Sequence, residues 1–307
     1  MYFNLTSWSN NRNYGYLYAL ISAILFGSIT TIAKPLLLTN ITPLTLSSLT
    51  YLIAGIFAFF IFAIKKENKT TTKPSRKDYW FLFLIGIIGA ALAPFLYFSG
   101  LQMTSASNTS ILTNGEIIFT VLIALLFFKE KLSKIGYFGI VVSIIGIMLL
   151  SLEFKDYFYV NFNLGDILIV LSTLLWGLDN NLSKVVSKRI PSSITIVMVK
   201  SLIGGSILLL ISTLLNESMK IDIMNIPYLL LLGVGGFGVS LYFFLKALRI
   251  LGTLKSIMIF SSSSIFSLFF SFVFLKEVIG VPDVFAMLLM IFGIYLVTRD
   301  EAYNTPV

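Results

Sequence analysis

Long apolar runs, separated by short polar gaps, cover this chain almost from end to end. A helix that spans a membrane needs about 20 consecutive and mostly apolar residues, and ten such runs follow one another. The runs predict spans at 14–33, 44–64, 79–101, 107–128, 134–152, 164–186, 191–215, 226–250, 254–275 and 280–298. Because so little chain remains between them, the pattern predicts an all-α integral membrane protein with ten transmembrane helices and no folded soluble domain.

The composition agrees with this prediction and removes several classes of chemistry. The chain is 57% hydrophobic and only 12% charged, whereas a soluble domain carries about a quarter of its residues as charged ones. It contains neither cysteine nor histidine, which excludes disulfides, thiolate nucleophiles and histidine-based triads or proton relays. We therefore expect no catalytic set, no metal site and no cofactor.

The distribution of positive charge predicts the orientation of the chain. The formal net charge of +8 could indicate nucleic-acid binding, but the basic residues lie in gaps beside apolar runs, as in membrane proteins. With the N-terminus inside, 17 Lys and Arg fall on the cytoplasmic side and four on the other. This bias predicts cytoplasmic tails at 1–13 and 299–307 and no nucleic-acid partner. No signal or transit peptide is evident, which favours the plasma membrane.

The two halves of the chain match each other at two constant offsets. At an offset of 150, glycines and a lysine coincide, and at 147 further glycines and a Lys-Glu pair coincide. The clearest matches are Gly27 with Gly177, Lys34 with Lys184, Gly55 with Gly205, Gly86 with Gly233, and Lys129-Glu130 with Lys276-Glu277. The pattern predicts two five-helix repeats, 14–152 and 164–298. Since five is odd, the second repeat is inverted, an architecture typical of transporters.

Three charged residues fall deep inside predicted spans: Glu116, Asp179 and Lys200. Each costs at least ~2.5–3.5 kcal/mol to insert, so such residues are kept for a reason. Asp179 and Lys200 lie at similar distances on either side of the turn near Arg189, and this matching depth allows them to pair. Two interpretations stay open, an ion pair that holds two helices together and a pair that takes part in substrate binding or gating.

Glu116 has no evident partner at its depth once Asp179 and Lys200 are matched, and its counterpart in the second repeat is Ser263. A lone buried carboxylate is suited to carry a proton or to attract a cation. The alternative is a neutral, hydrogen-bonded glutamic acid that braces its helix.

Polar and aromatic residues near these positions are further candidates for the wall of a binding pocket, although helix packing explains any one of them as well. Pro94 is expected to bend the third span. The candidate lining residues are Asn108, Asn114, Asn180, Ser263, Trp176 and Tyr97.

A family resemblance is carried by the segments 104–108, 116–120 and 129–132, and by their counterparts 263–266 and 275–277. These segments resemble the EamA domain of the drug/metabolite transporter superfamily, with Ile117 where that domain commonly has proline. The resemblance covers about 14–298. It implies ten helices, cytoplasmic termini and a central cavity, and transport of amino acids, other metabolites or drugs, often outward and often coupled to protons or exchange.

Taken together, the residues and the resemblance predict a secondary active transporter, either an exporter or an exchanger, that works by alternating access around a central cavity. Few buried basic residues are present, which favours a small neutral or zwitterionic metabolite such as an amino acid over a phosphorylated one. A coupling proton or counter-substrate, the lipid bilayer and a monomeric or homodimeric state complete the expectation. The alternatives are an intramembrane enzyme, a non-transporting sensor or scaffold, and a channel.

Overall fold

The computed structural model describes residues 5–39, 41–64, 75–128, 133–150, 163–190, 192–217, 221–276 and 280–299. Within these residues the chain is helical and contains no strand. The helical segments form ten rods in the order of the ten predicted runs. The rods are α1 (Leu5–Leu37), α2 (Pro43–Ile64), α3 (Arg76–Met103), α4 (Ala106–Leu126), α5 (Lys134–Leu150), α6 (Leu164–Arg189), α7 (Ser193–Leu214), α8 (Ile223–Leu251), α9 (Thr253–Leu275) and α10 (Val281–Thr298).

Seven rods of the described chain are long and apolar enough to cross a membrane by length and composition, namely α1 from Arg12 onward, α2, α3, α4, α7, α8 and α9. Of the other three, α5 has 17 residues and α10 has 18. Helix α6 is continuous over 26 residues and carries polar or charged side chains at five of the six positions from Asp179 to Lys184.

The N-terminal end of the chain is helical. Residues 5–13, which were predicted to lie in a cytoplasmic tail, continue the first helix back to Leu5. An apolar span that is already helical extends cheaply, since each added residue gains a backbone hydrogen bond without a new nucleus. The rest of the predicted tails (1–4 and 300–307), Lys129, Glu130 and Glu277 lie outside the described residues.

Five irregular segments, three of them π-helical and two of them turns, occur within or at the end of the described rods α3, α4, α8 and α9. In α3 a π turn at Ile88–Leu92 ends two residues before Pro94, which has no N–H to donate to the helix. A second π stretch, Leu231–Val239, lies in the glycine-rich part of α8. A turn at 113–114 divides α4, and a turn at 261–262 divides α9, which ends in a third π segment.

The rods pack in a recurring set of pairs. α2 lies along α7 and α5 along α10, while α1 packs against α8 and α9, and α6 packs against α3 and α4. Glycines allow close approach at these crossings: Gly27 of α1 faces Phe266 of α9, and Gly177 of α6 faces Phe119 of α4. Small residues at such crossings are typical of helix packing in membranes.

Aromatic rings fill the centre of the bundle. Trp176 lies 5.2 Å from Tyr97 and 5.6 Å from Phe26, measured between ring centroids. Phe26 also packs on Phe260 of α9 at 4.9 Å, and Phe237 of α8 joins the cluster. Both aromatic residues that the sequence proposed as pocket walls, Trp176 and Tyr97, therefore lie in this core beside the interrupted helices.

Candidate functional site

The two divided rods, α4 and α9, meet at their interruptions in the middle of the bundle. The Ser264 hydroxyl donates a hydrogen bond to Oδ1 of Asn114, which joins the two turns directly. One helical turn away, the hydroxyls of Ser110 and Ser267 lie 2.6 Å apart. Irregular backbone at membrane depth is tolerated where it is buried in protein or lines a cavity, and interrupted helices commonly form the binding sites of transporters.

Two small cavities flank this junction. Each offers about 10 Å³ to the centre of a water molecule, which is room for about one water. Thr113, Ser263 and Ser264 line both. The first cavity is also lined by Phe26, Gly27, Thr30, Tyr97, Ser110 and Ser267. The second is also lined by Asn114, Glu116, Ile117, Ile257, Phe260 and Ser261.

Glu116 is buried in the first turn of the second segment of α4. Its Oε1 accepts a hydrogen bond of 2.7 Å from Nδ2 of Asn180, and the same Nδ2 lies 3.2 Å from the Thr120 hydroxyl. The expectation that Glu116 lacks a partner is therefore wrong. Successive residues of a helix point about 100° apart, so Asn180 reaches α4 from α6 while its neighbour Asp179 faces elsewhere.

Asp179 and Lys200 form a buried ion pair between α6 and α7, and each side chain is only 4% exposed. The Ser183 hydroxyl adds a hydrogen bond of 3.3 Å to Oδ1 of Asp179. The structure thus brings together the two residues that the sequence placed at matching depth. A buried pair of this kind tolerates the loss of either partner poorly, because the remaining charge is left uncompensated.

Gly89 connects the ion pair to the aromatic core, and sequence reasoning missed it together with Tyr51. The Gly89 carbonyl, in the π turn of α3, accepts hydrogen bonds from the Tyr51 hydroxyl at 3.1 Å and from Trp176 Nε1 at 3.2 Å. A methyl group added to Gly89 would overlap the Asp179 carboxylate. The match between Gly89 and Gly236 at the offset of 147 was a signal that could have identified this position.

The remaining candidates differ in their distance from the cavities. Tyr97 lines the first cavity, and its hydroxyl lies 2.7 Å from that of Thr30. Ser263 lines both cavities. Asn108 lies outside both: it is half-buried one and a half turns before the interruption, and its Nδ2 lies 3.4 Å from the Thr104 hydroxyl.

Sequence reasoning counted Lys255 among the basic residues of the cytoplasmic side. It is 1% exposed, in the first turn of α9. The hydroxyls of its neighbours Thr253 and Ser256 are buried and form no hydrogen bond with a described residue. This end of α9 is therefore a tightly closed polar region rather than a solvated gap.

The chain matches known proteins over nearly its whole length. The model of the EamA-like transporter family matches twice, at residues 13–152 and 163–299. An uncharacterized transporter of Methanothermobacter thermautotrophicus is 31% identical over 93% of this chain and 86% of its own. The uncharacterized transporter YoaV of Bacillus subtilis is 24% identical over 91% of this chain and 95% of its own.

A crystal structure that is 16% identical in sequence superposes with a TM-score of 0.69 over 92% of this chain and 96% of that one. This likeness concerns the fold alone, whereas the family match covers both halves and includes the interrupted helices. The chain belongs to the EamA-like transporter family.

Proposed function

We propose that this protein is a secondary active transporter, an exporter or exchanger, that moves a small neutral or zwitterionic metabolite such as an amino acid by alternating access. The observation that carries the proposal is the meeting of two interrupted helices, α4 and α9, around the buried carboxylate of Glu116. Such a junction supplies polar groups at mid-membrane without opening a continuous aqueous path.

Equivalent contacts in the two halves support an inverted-repeat arrangement. Gly86 faces Ile203 and the Lys200 carbonyl, while Gly233 faces Ile53 and the Thr50 carbonyl. These are the same contact after applying the offsets of 147 and 150. The pairs Gly55 with Leu202 and Gly205 with Leu52 are related in the same way. Exchanging the conformations of two such halves would convert an inward-open state into an outward-open one.

The repeats are assigned to residues 14–152 and 164–298, with all ten rods crossing the bilayer and both termini in the cytoplasm. The excess of Lys and Arg in alternate gaps supports this orientation, and the plasma membrane is the proposed location. Lys34, assigned to the far side, donates to the carbonyls of Leu101 and Thr104 at 2.8 and 2.6 Å. It therefore stabilises the C-terminal end of α3 by binding carbonyls that the helix end leaves free.

Within this arrangement the substrate occupies an enlarged form of the two cavities. Glu116, Asn114, Ser263 and Tyr97 would contact it or its coupling proton, and the Asp179–Lys200 pair, with Asn180 and Trp176, would hold the surrounding helices. Asn108 would lie on the approach to the cavity. The oxygen-rich lining supports a solute that lacks a phosphate group, since phosphate binding calls for Arg, Lys or helix N-termini.

The test is counter-flow in liposomes that contain the purified protein, with a panel of amino acids, amines and neutral metabolites. A carrier exchanges labelled solute faster when unlabelled solute is present on the opposite side, whereas a channel, an enzyme or a scaffold does not. We expect saturable counter-flow for at least one solute, and a large loss of it in Glu116→Gln with little change in thermal stability. Gln can still accept the hydrogen bond from Asn180, so the fold is retained.

The matched control is Glu217→Gln, which removes a carboxylate that lies beyond the end of α7 and bonds Thr45 at 3.3 Å. This variant should transport like the wild type. Absence of saturable flux across the whole panel, in protein that is folded and correctly inserted, would contradict the proposed function. Wild-type counter-flow by Glu116→Gln would remove Glu116 from the mechanism.

A further inference from the structure

The oxygen atoms around the second cavity have an unusual balance of hydrogen-bond donors and acceptors. Most of the hydroxyl protons there are committed within the protein: Thr113 donates to the Thr109 carbonyl at 2.6 Å and Ser261 to the Met258 carbonyl at 2.5 Å. The one proton of Ser264 is shared between Oδ1 of Asn114 and the Ser261 carbonyl. A serine or threonine on a helix commonly bonds in this way. Each such hydroxyl has only one proton, so what remains for a ligand is its lone pairs.

Glu116 adds the strongest acceptor to this lining. Its Oε1 is bound by Asn180, but Oε2 accepts no hydrogen bond among the described contacts, and the residue lines the second cavity. The only hydroxyl of the lining that makes no hydrogen bond in the described structure is that of Ser263. Among the described residues that line the two cavities there is no Lys or Arg.

This lining is complementary to a ligand group that is rich in hydrogen-bond donors and positively charged. A primary ammonium group has three N–H donors and no acceptor, which complements a carboxylate surrounded by hydroxyl lone pairs. Its size is close to that of one water, which is the space available in the second cavity. The Phe260 ring on the same wall is suited to contact a cation through its face.

We infer that the second cavity is an ammonium subsite, in which Glu116 and the hydroxyls of Thr113, Ser261 and Ser263 bind the primary ammonium group of the transported solute. The inference rests on the proposed function and gives it a chemical class: solutes that carry –NH3⁺. The first cavity, with Tyr97 and Phe26 on its wall, takes the adjoining part of the solute, so the subsite selects one end of the molecule.

Binding can be measured as thermal stabilisation of the detergent-solubilised protein, because a ligand of the native state raises the melting temperature by mass action. The probes are methylammonium, ethylammonium and ethanolamine, all as chloride salts at constant ionic strength. Tetramethylammonium carries the same charge but no N–H, sodium tests for a simple cation site, and propionate tests the opposite sign.

We expect a concentration-dependent rise in melting temperature with the three primary amines and none with tetramethylammonium, sodium or propionate. Glu116→Gln should weaken amine binding by at least about tenfold, equivalent to about 1.4 kcal/mol. Ser263→Ala, which removes a smaller contribution to the same lining, should weaken it by a smaller factor. Glu217→Gln should bind the amines like the wild type.

Equal stabilisation by sodium or by tetramethylammonium would overturn the inference, because it would identify a site for charge rather than for N–H donors. Retention of amine binding by Glu116→Gln would also overturn it, provided that the variant melts cooperatively like the wild type. Counter-flow of a solute without an amino group, together with no effect of the amines, would remove the subsite and leave the transport function standing. Amine binding without counter-flow of any solute would support the subsite and contradict the transport function.

Discussion

The two halves of the molecule build the same framework around different side chains. Where the second half has Asp179 and Lys200, the first half has Ile29 and Thr50 at the matching positions. The neighbouring glycines are equivalent too: Gly89 lies against Asp179, and Gly236 lies against Ile29. One copy of the crossing therefore contains a buried ion pair, whereas the other contains the apolar contact of Ile29 with Gly236 and a Thr50 hydroxyl that bonds only within α2 among the described contacts.

A second difference explains where the first cavity lies. Glu116 of α4 contacts Asn180 of α6, and the residues at the matching positions are Ser263 of α9 and Thr30 of α1. Both of these shorter residues line the first cavity. The smaller side chains of Ser263 and Thr30 thus leave open, between α9 and α1, the space that Glu116 and Asn180 fill between α4 and α6. The comparison teaches that the repeated backbone provides the frame, whereas unequal side chains create the polar site.

The largest expected effect comes from breaking the ion pair that only one half possesses. Lys200→Ala leaves Asp179 charged and buried without a counter-charge, which should destabilise the protein by about 3–5 kcal/mol. Thr50→Ala, at the matching position, should have a much smaller effect because the Thr50 hydroxyl bonds the carbonyls of Leu46 and Ser47 in its own helix. Melting of the two detergent-solubilised variants, compared with the wild type, measures the difference.

The double variant Asp179→Ile with Lys200→Thr copies the first half into the second and separates stability from function. It removes both charges together, and isoleucine beside Gly89 repeats the packing of Ile29 beside Gly236. We expect its melting temperature to recover most of the loss seen in Lys200→Ala and counter-flow to recover with it, because the pair is proposed to hold α6 and α7 together. Impaired counter-flow in a symmetrised protein that melts like the wild type would show that the pair also takes part in substrate binding or gating.

The next largest loss of stability is expected from a substitution at Gly89, which lies in close contact with Asp179. Gly89→Ala places a methyl group on the Asp179 carboxylate, and overpacking of this kind should destabilise the protein by about 1–3 kcal/mol. The same substitution at Gly235, in the π stretch of α8, meets no atom within 4 Å and is the matched control. Both are measured by thermal melting and counter-flow. Equal effects at the two glycines would contradict the structural role assigned to Gly89.

The features that could be predicted from the sequence are those that depend on residues close together along the chain. Ten rods follow from local apolar runs, and the Asp179–Lys200 contact follows from depth along two helices that adjoin one turn. The Glu116–Asn180 contact could not be predicted, since it depends on how α4 and α6 rotate about their axes and 64 residues separate the two partners. The interruptions of α4 and α9 were missed as well, because their polar residues occur equally in unbroken helices.

The smallest expected effect concerns a hydroxyl pair that is present at only one of two equivalent helix crossings in the described structure. At the crossing of α1 and α8, the Ser22 hydroxyl donates to the Ser240 carbonyl at 2.8 Å and lies 3.0 Å from the Ser240 hydroxyl. The Ser240 hydroxyl lies within donating distance of the Ser22 carbonyl, at 3.0 Å. The matching positions are Ser172 and Ala93, and among the described contacts the Ser172 hydroxyl bonds only the Ile169 carbonyl of its own helix.

Ser240→Ala removes one side of this pair but leaves the Ser22 hydroxyl bonded to a backbone carbonyl, so no buried donor is orphaned. Interhelical hydrogen bonds in membrane proteins contribute about 0.6 kcal/mol on average, and we expect a destabilisation of that order. Ser172→Ala should cost less, because its bond lies within one helix and joins no partner rod. A thermal melt of both variants tests the order: a larger loss in Ser172→Ala than in Ser240→Ala would mean that the hydroxyl pair does not strengthen the crossing of α1 and α8.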